Sequence, residues 1–309
     1  MAYATGIANN AGEIVAAIKA RAVSGGWSES GTTLVKGDIY TQLDVTGSDI
    51  FIRSGLGGVG LNQTARSNRI IGGTWSTATG SQLSYPCTYH VFVHSDPDNV
   101  VCFVNYNVNW WQWLMFGKAL NLGVDGTCNY QAGSFPAGVS LTGANNVVYW
   151  SSVSEGVTGT NAPNYYGVPF PLWPNFGANA GESATGDSIN LEGTTWLENR
   201  QPATLQAVNI RRYAKTFLNL LPNAWNGETT LVRCFVKYIR STGVYSYGAE
   251  LPHIRLTRNN NYNDGDTITL GSDEWMIFPG LRKNTASPNA SISNPQHSGT
   301  IAIAVRKTT

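Results

Sequence analysis

Residues 89–108, YHVFVHSDPDNVVCFVNYNV, place two runs of alternating apolar and polar residues on either side of Ser95-Asp96-Pro97-Asp98-Asn99. A period of two sends successive side chains to opposite faces of a strand. Between the runs, Pro97 fixes one φ, and the Asp and Asn side chains can satisfy the turn's own backbone groups. The stretch therefore predicts an antiparallel hairpin, and a chain that contains it must build a sheet around it. The continuation, 104–119, reads VNYNVNWWQWLMFGKA. Val104, Tyr106, Val108 and Trp110 alternate with Asn105, Asn107 and Asn109, as in a strand with one apolar and one wet face. The alternation then stops, and Trp111, Trp113, Leu114, Met115 and Phe116 follow almost without interruption.

The same period recurs along the chain. TLVKGDIYTQLDV and DIFIRSG predict strands from Thr32 onward, with turns at Gly37 and at Gly47-Ser48. Further strands are predicted at 147–153, 229–241, 253–258, 267–271, 274–280 and 300–307. Residues 11–22, AGEIVAAIKARA, have the other period: Ile14, Ala17, Ile18 and Ala22 share a helical face, Asn9 or Asn10 can cap the start, and Gly25-Gly26 ends it. A short helix is expected around 213–221, stopped by Pro222. Charged residues make up only 13% of the 309, while Gly (34), Trp (10) and Tyr (14) are frequent, a composition that suits short strands and turns. No fixed-period repeat and no clean linker divides the chain. The expected architecture is α+β: one mainly antiparallel, sandwich-like β domain over 1–309, with an N-terminal helix. Residues 154–195, centred on YYGVPFPLWPNFG, lack periodicity and predict a long irregular arm. Pro169, Pro171 and Pro174 favour an extended path there.

Charge excludes several functions. With 20 basic and 19 acidic residues and a net charge of +1, the chain lacks the basic stripe that neutralises phosphates, so no nucleic-acid partner is expected. No run approaches the roughly 20 apolar residues of a membrane span, and the start lacks the pattern of a signal peptide. Retention in a cytoplasm, or exit by another route, is the expectation. Cys87, Cys102, Cys128 and Cys234 form no C-x-x-C pair and are expected to be buried, reduced thiols.

The chemical motifs are weak. GLGGVG (55–60) is followed by polar, unhelical sequence rather than the helix a dinucleotide fingerprint needs, and reads as a turn. His90 and His94 share a strand face near Cys102, but spacing supplies no further metal ligand. NDGDT (263–267) fails as a calcium loop, because Gly271 stands where the bidentate Glu belongs, and reads as a turn. The acidic pairs lie in turn-like segments. No catalytic residue, cofactor or metal is therefore expected, and the chain is not expected to be an enzyme.

The aromatic residues admit three roles: core, a platform for sugar rings, or anchors at a subunit interface. The interface candidates are Trp110, Trp111, Trp113 and Phe116, with Tyr165, Tyr166, Phe170, Trp173 and Phe176 on the arm. Three stretches together, GWSESGTTLVKGDIYTQLDV, YHVFVHSDPDNVVCFVNYNVNWWQWLMFGKA and DEWMIFPGLRK ahead of GTIAIAVRK, resemble virion structural proteins of tailed bacteriophages, in particular those of the tail and baseplate gene region. The matching features are the aromatic QWLMFGK turn at 112–118 and the late WMIFPGLR stretch at 275–282. The resemblance implies a structural role in a virion assembled in the bacterial cytoplasm. It also implies contacts with other tail or baseplate proteins, and a homo-oligomer in a symmetric ring. The alternatives are a receptor- or glycan-binding module at the particle's periphery, with a host-surface glycan as partner, and a protein of the head–tail neck.

Overall fold

The computed structural model describes residues 2–47, 49–56, 68–71, 84–136, 188–193, 195–198, 208–209, 230–241, 244–286 and 298–307. The expected class is what is found: three mainly antiparallel sheets, arranged as a sandwich, and one described helix, α1 (Ala11–Ser24). Numbering strands in chain order, the middle sheet runs β1 (Ala2–Ala8), β7 (Cys87–His94), β8 (Asn99–Tyr106), β9 (Trp110–Lys118), β11 (Asn129–Gly133), β13 (Ser188–Glu192) and β14 (Thr195–Glu198). One flanking sheet runs β12 (Phe135–Pro136), β6 (Asn68–Ile71), β5 (Asp49–Leu56), β4 (Ile39–Thr46), β3 (Thr33–Lys36) and β2 (Ser28–Ser30). The other runs β15 (Val208–Asn209), β16 (Val232–Ser241), β17 (Val244–Arg258), β20 (Ile301–Lys307), β19 (Asp273–Pro279) and β18 (Thr267–Leu270), with β10 (Leu120–Asn121) paired to β17.

Local chemistry explains the first elements. Asn10 caps α1 by accepting from the Glu13 N–H at 3.0 Å, and the Glu13 carboxylate accepts from the Asn9 N–H at 2.8 Å, a reciprocal box that satisfies two otherwise orphaned donors. Ala11, Ile14, Val15, Ile18 and Ala22 form the buried face. The helix stops when the Gly25 N–H returns to the Ala22 carbonyl at 2.9 Å and Gly26 turns to φ +85°. The β3–β4 and β4–β5 turns fall at Gly37 and Gly47, both left-handed.

The aromatic run is the central strand. β9 lies between β8 and β11, and strand alternation sends its side chains into two different cores. Trp111, Trp113 and Met115 enter the core shared with β16, β17, β19 and β20. Trp110, Leu114 and Phe116 enter the core shared with α1, β3, β4 and β5. A strand covered on both faces has no wet face to alternate with, so its period disappears from the sequence. Burying each large side chain stabilises by about 2–3 kcal/mol. Gly117 is required at the end of the run: its φ is +136°, and a Cβ there would lie 2.4 Å from the Asp98 carbonyl oxygen.

The structure departs from the sequence reading at three points. Val108 does not continue a strand: residues 107–109 are the tip of a second hairpin, joining Tyr106 to Trp110. β1, β2, β6, β10, β11, β12, β14 and β15 are not among the predicted strands. Within the segment read as an arm, 188–192 form β13, with Ile189 and Leu191 fully buried. The expected strand at 147–153, the helix at 213–221 and the arm's residues 154–187 lie outside the described residues.

Candidate functional site

Trp110, Trp111, Trp113 and Phe116 all have their surface buried within this chain, at most 4% exposed. Trp111 packs against Phe278 and His90, with ring centroids 5.1 and 5.8 Å away, and its indole N–H donates to Asp264 at 3.1 Å. The Trp113 indole N–H donates to the Gly280 carbonyl at 3.2 Å, and Trp27 meets the Phe116 ring edge-on at 5.7 Å. Trp110 lies beneath the Arg282 guanidinium, 5.3 Å from its centre. Tyr165, Tyr166, Phe170, Trp173 and Phe176 lie outside the described residues.

The potential chemistry of the thiols is suppressed by burial. All four cysteines are free and buried, and loss of water pushes their pKa values up, to about 11 for Cys87 and about 12 for Cys128 and Cys234. Cys102 sits opposite Val91 in the β7–β8 register and His90 opposite Phe103, so the cysteine points away from the His90/His94 face. Among the described residues, no group of three or more His, Cys, Asp or Glu side chains is placed to hold a metal ion. The 263–267 stretch is a turn: Asp266 accepts from the Asn263 N–H at 2.7 Å, and Gly265 N–H donates to Ile277 at 2.7 Å. GLGGVG begins inside β5, whose last residues are Gly55 and Leu56; the rest lies outside the described residues.

Two features remain unexplained by packing alone. The first is a seam of histidines between the middle sheet and the sheet of β16–β20. His90 and His94 project from β7, and His253 from β17. The His94 and His253 rings stack at 4.4 Å and 8°. His94 Nε2 lies 2.8 Å from the Arg306 carbonyl and Nδ1 lies 2.9 Å from Asn99 Oδ1. Tyr3 bonds His90 Nδ1 at 2.9 Å. Burial is the main cause that lowers all three pKa values, to about 4 for His90, about 3 for His94 and about 4 for His253; the His253 imidazole and Arg306 add to the effect on His94, and Arg306 and Arg255 to that on His253. The unfolded chain would hold these protons up to about pH 6.5. The seam's contribution to stability is therefore complete above that pH and is lost as pH falls toward the folded values. Thermal unfolding followed across this window should show the midpoint falling on acidification, and His94→Phe should flatten the fall. A wild-type midpoint that does not move in this window would contradict the assignment.

The second feature is the hairpin tip. Asn107 and Val108 both have positive φ, +45° and +66°, and Val108 is 86% exposed. Asn tolerates that region; a β-branched residue rarely occupies it. Asn105 holds the tip from below, its amide donating to the Trp110 carbonyl at 3.2 Å, while Asn107 meets Ser84 and its carbonyl accepts from the Asn109 N–H at 2.8 Å. The tip therefore stands on two strands that are almost wholly buried, and presents an isopropyl group to solvent. The only trace in sequence is Asn-Val-Asn with no glycine, which alternation disguises as strand. Among the described residues, other exposed aliphatic side chains are Ile7 on β1, Val23 on α1, Val45 on β4, Leu120 and Leu122 beside β17, Val244 on β17 and Leu270 on β18.

Among the described residues, no helix is long and apolar enough to cross a membrane. In comparisons with known proteins, no family model matches this sequence and no curated protein matches it.

Proposed function

We propose that the chain is a structural component of a tailed-phage virion, in the tail tip or baseplate, and that it acts by binding neighbouring subunits. The observation that carries the binding role is Val108. Holding a non-glycine residue in a sparsely populated backbone region costs about 1–3 kcal/mol; within the chain the Val108 carbonyl accepts a long hydrogen bond from the Asn105 amide at 3.4 Å, but its 86% exposed side chain gains little from packing. A contact outside the chain supplies the missing gain: an apolar knob on a stiff hairpin can enter a pocket of a neighbour without further ordering cost. The virion assignment itself rests on the sequence resemblance of 26–45, 89–119, 273–283 and 299–307.

The glycan-binding alternative is favoured by no contact described above, since Trp111 has its ring faces against Phe278 and His90. The test uses Val108→Asn. Asparagine accepts a positive φ, so unfolding in urea should be unchanged or harder by about 1 kcal/mol. Co-sedimentation of the variant with assembled particles should fall. A variant that is as stable as wild type and still joins particles at the wild-type level would overturn the binding role of the tip.

A further inference from the structure

β1 forms one end of the middle sheet. Among the described residues it pairs with β7 alone, so its outer edge presents a row of unpaired backbone N–H and C=O groups. Proteins blunt such edges by keeping them short, by charging them or by placing Pro on them. The other sheet ends follow that rule. β14 and β18 have four residues each, β2 three, and β12 and β15 two. β2 also carries Glu29 at its centre, ion-paired with Lys19 at 2.9 Å. β1 is different: seven residues, AYATGIA, with no charge and no Pro, and with Ile7 70% exposed.

We propose that this edge joins a second copy of the chain: β1 pairs antiparallel with β1 of the copy across a two-fold axis at Thr5, and the middle sheet runs through both. The strand is self-complementary in size. Tyr3, Thr5 and Ile7 lie on one face, and Ala4 and Gly6 on the other. Antiparallel pairing centred on Thr5 sets Tyr3 opposite Ile7, Ala4 opposite Gly6 and Thr5 opposite its own copy. An aromatic facing a β-branched residue is a favourable cross-strand pair, and small residues meet small ones on the opposite face. A two-fold contact demands this kind of match, because one patch meets itself. It also demands that no charge on the patch face its own copy, and β1 has none.

The side chains are already held for such a contact. The Tyr3 hydroxyl bonds His90 Nδ1 at 2.9 Å, and its ring centre lies 4.9 Å from that of Phe92, so little further ordering is needed on pairing. The cation over the Tyr3 ring, Lys307 at 5.8 Å, is balanced by Glu274 at 3.5 Å. The Thr5 hydroxyl donates to the Tyr89 carbonyl of β7 at 2.8 Å, so its proton is satisfied within the chain. This surface is separate from the hairpin tip at 107–109, and the pairing stands whether or not the chain belongs to a virion.

Analytical ultracentrifugation of the purified full chain over a dilution series tests this. The wild type should sediment at twice the 33.3 kDa chain mass and dissociate on dilution. Thr5→Lys and Thr5→Glu should each raise the dissociation constant at least about tenfold, because the axis sets each new charge against its own copy. An equimolar mixture of the two should restore the dimer, since opposite charges then meet. Thr5 is exposed, so both variants should keep the far-UV circular dichroism of the wild type. If either fails to fold, Ile7→Lys, at the more exposed Ile7, should weaken the dimer likewise. A wild type that is monomeric throughout, charged variants that pair as tightly as the wild type, or a mixture that stays monomeric would each overturn the proposal.

Discussion

Replacing Trp113 by alanine should lower the free energy of unfolding by roughly 3–5 kcal/mol, the range found when a large aromatic is removed from a packed core. Trp113 is fully buried at the centre of β9, in the core between the middle sheet and the sheet of β16–β20. Truncation opens a cavity there and also leaves the Gly280 carbonyl without the indole donor. The backbone cannot close the gap, because Trp113 is pinned to Ser134 through both its N–H, at 2.5 Å, and its carbonyl, at 2.9 Å. Urea unfolding monitored by far-UV circular dichroism would report the loss as a reduced midpoint. Trp113→Phe should lose less, since it retains most of the buried volume. An alanine variant with the wild-type midpoint would show that β9 is not the central strand of the fold.

The second large effect is expected at Glu250. Its side chain is 1% exposed and bonds Arg233 through two oxygens, the Nε contact being 2.8 Å, while Arg255 approaches at 3.5 Å. Arg255 in turn lies over the Trp275 ring, 5.0 Å from its centre. Removing one partner from a buried ion pair leaves the other charge uncompensated, a penalty of roughly 3–5 kcal/mol. Glu250→Gln should fall near the lower end, about 3 kcal/mol, because Arg233 is 57% exposed and can turn to solvent whereas Arg255, at 16%, cannot. Loss of stability should be accompanied by weaker protection at the β16–β17 pairing. A glutamine variant as stable as wild type would mean that Arg255 finds water without its carboxylate.

The difference between what sequence and structure disclose follows from which contacts are local. Helix α1 is legible because its start depends on Asn9, Asn10 and Glu13, all within one turn, and the β7–β8 hairpin because Pro97 and its Asp and Asn neighbours specify the turn themselves. β9 is not legible as a strand, because burial on both faces erases its period. The hairpin tip at 107–109 is hidden because Val108 takes a left-handed conformation that sequence rules reserve for Gly, Asn and Asp. Of the seam, the shared face of His90 and His94 can be read from their spacing. Their partner His253 cannot: it is brought in by β17, from the other sheet, and nothing local announces the pairing. The interface candidates divide in the same manner. Trp110, Trp111, Trp113 and Phe116 look alike in composition whether they face a neighbour or a core, and only the layer order places them inside.

The central claim, that the chain is a subunit of a phage tail or baseplate, is tested most directly by immunogold electron microscopy of particles from the source lysate, with antibody raised against the purified chain. Gold is expected at one fixed position along the tail of intact particles, or on tail fragments of disrupted ones if the epitope is covered by neighbours. Gold on neither would contradict it.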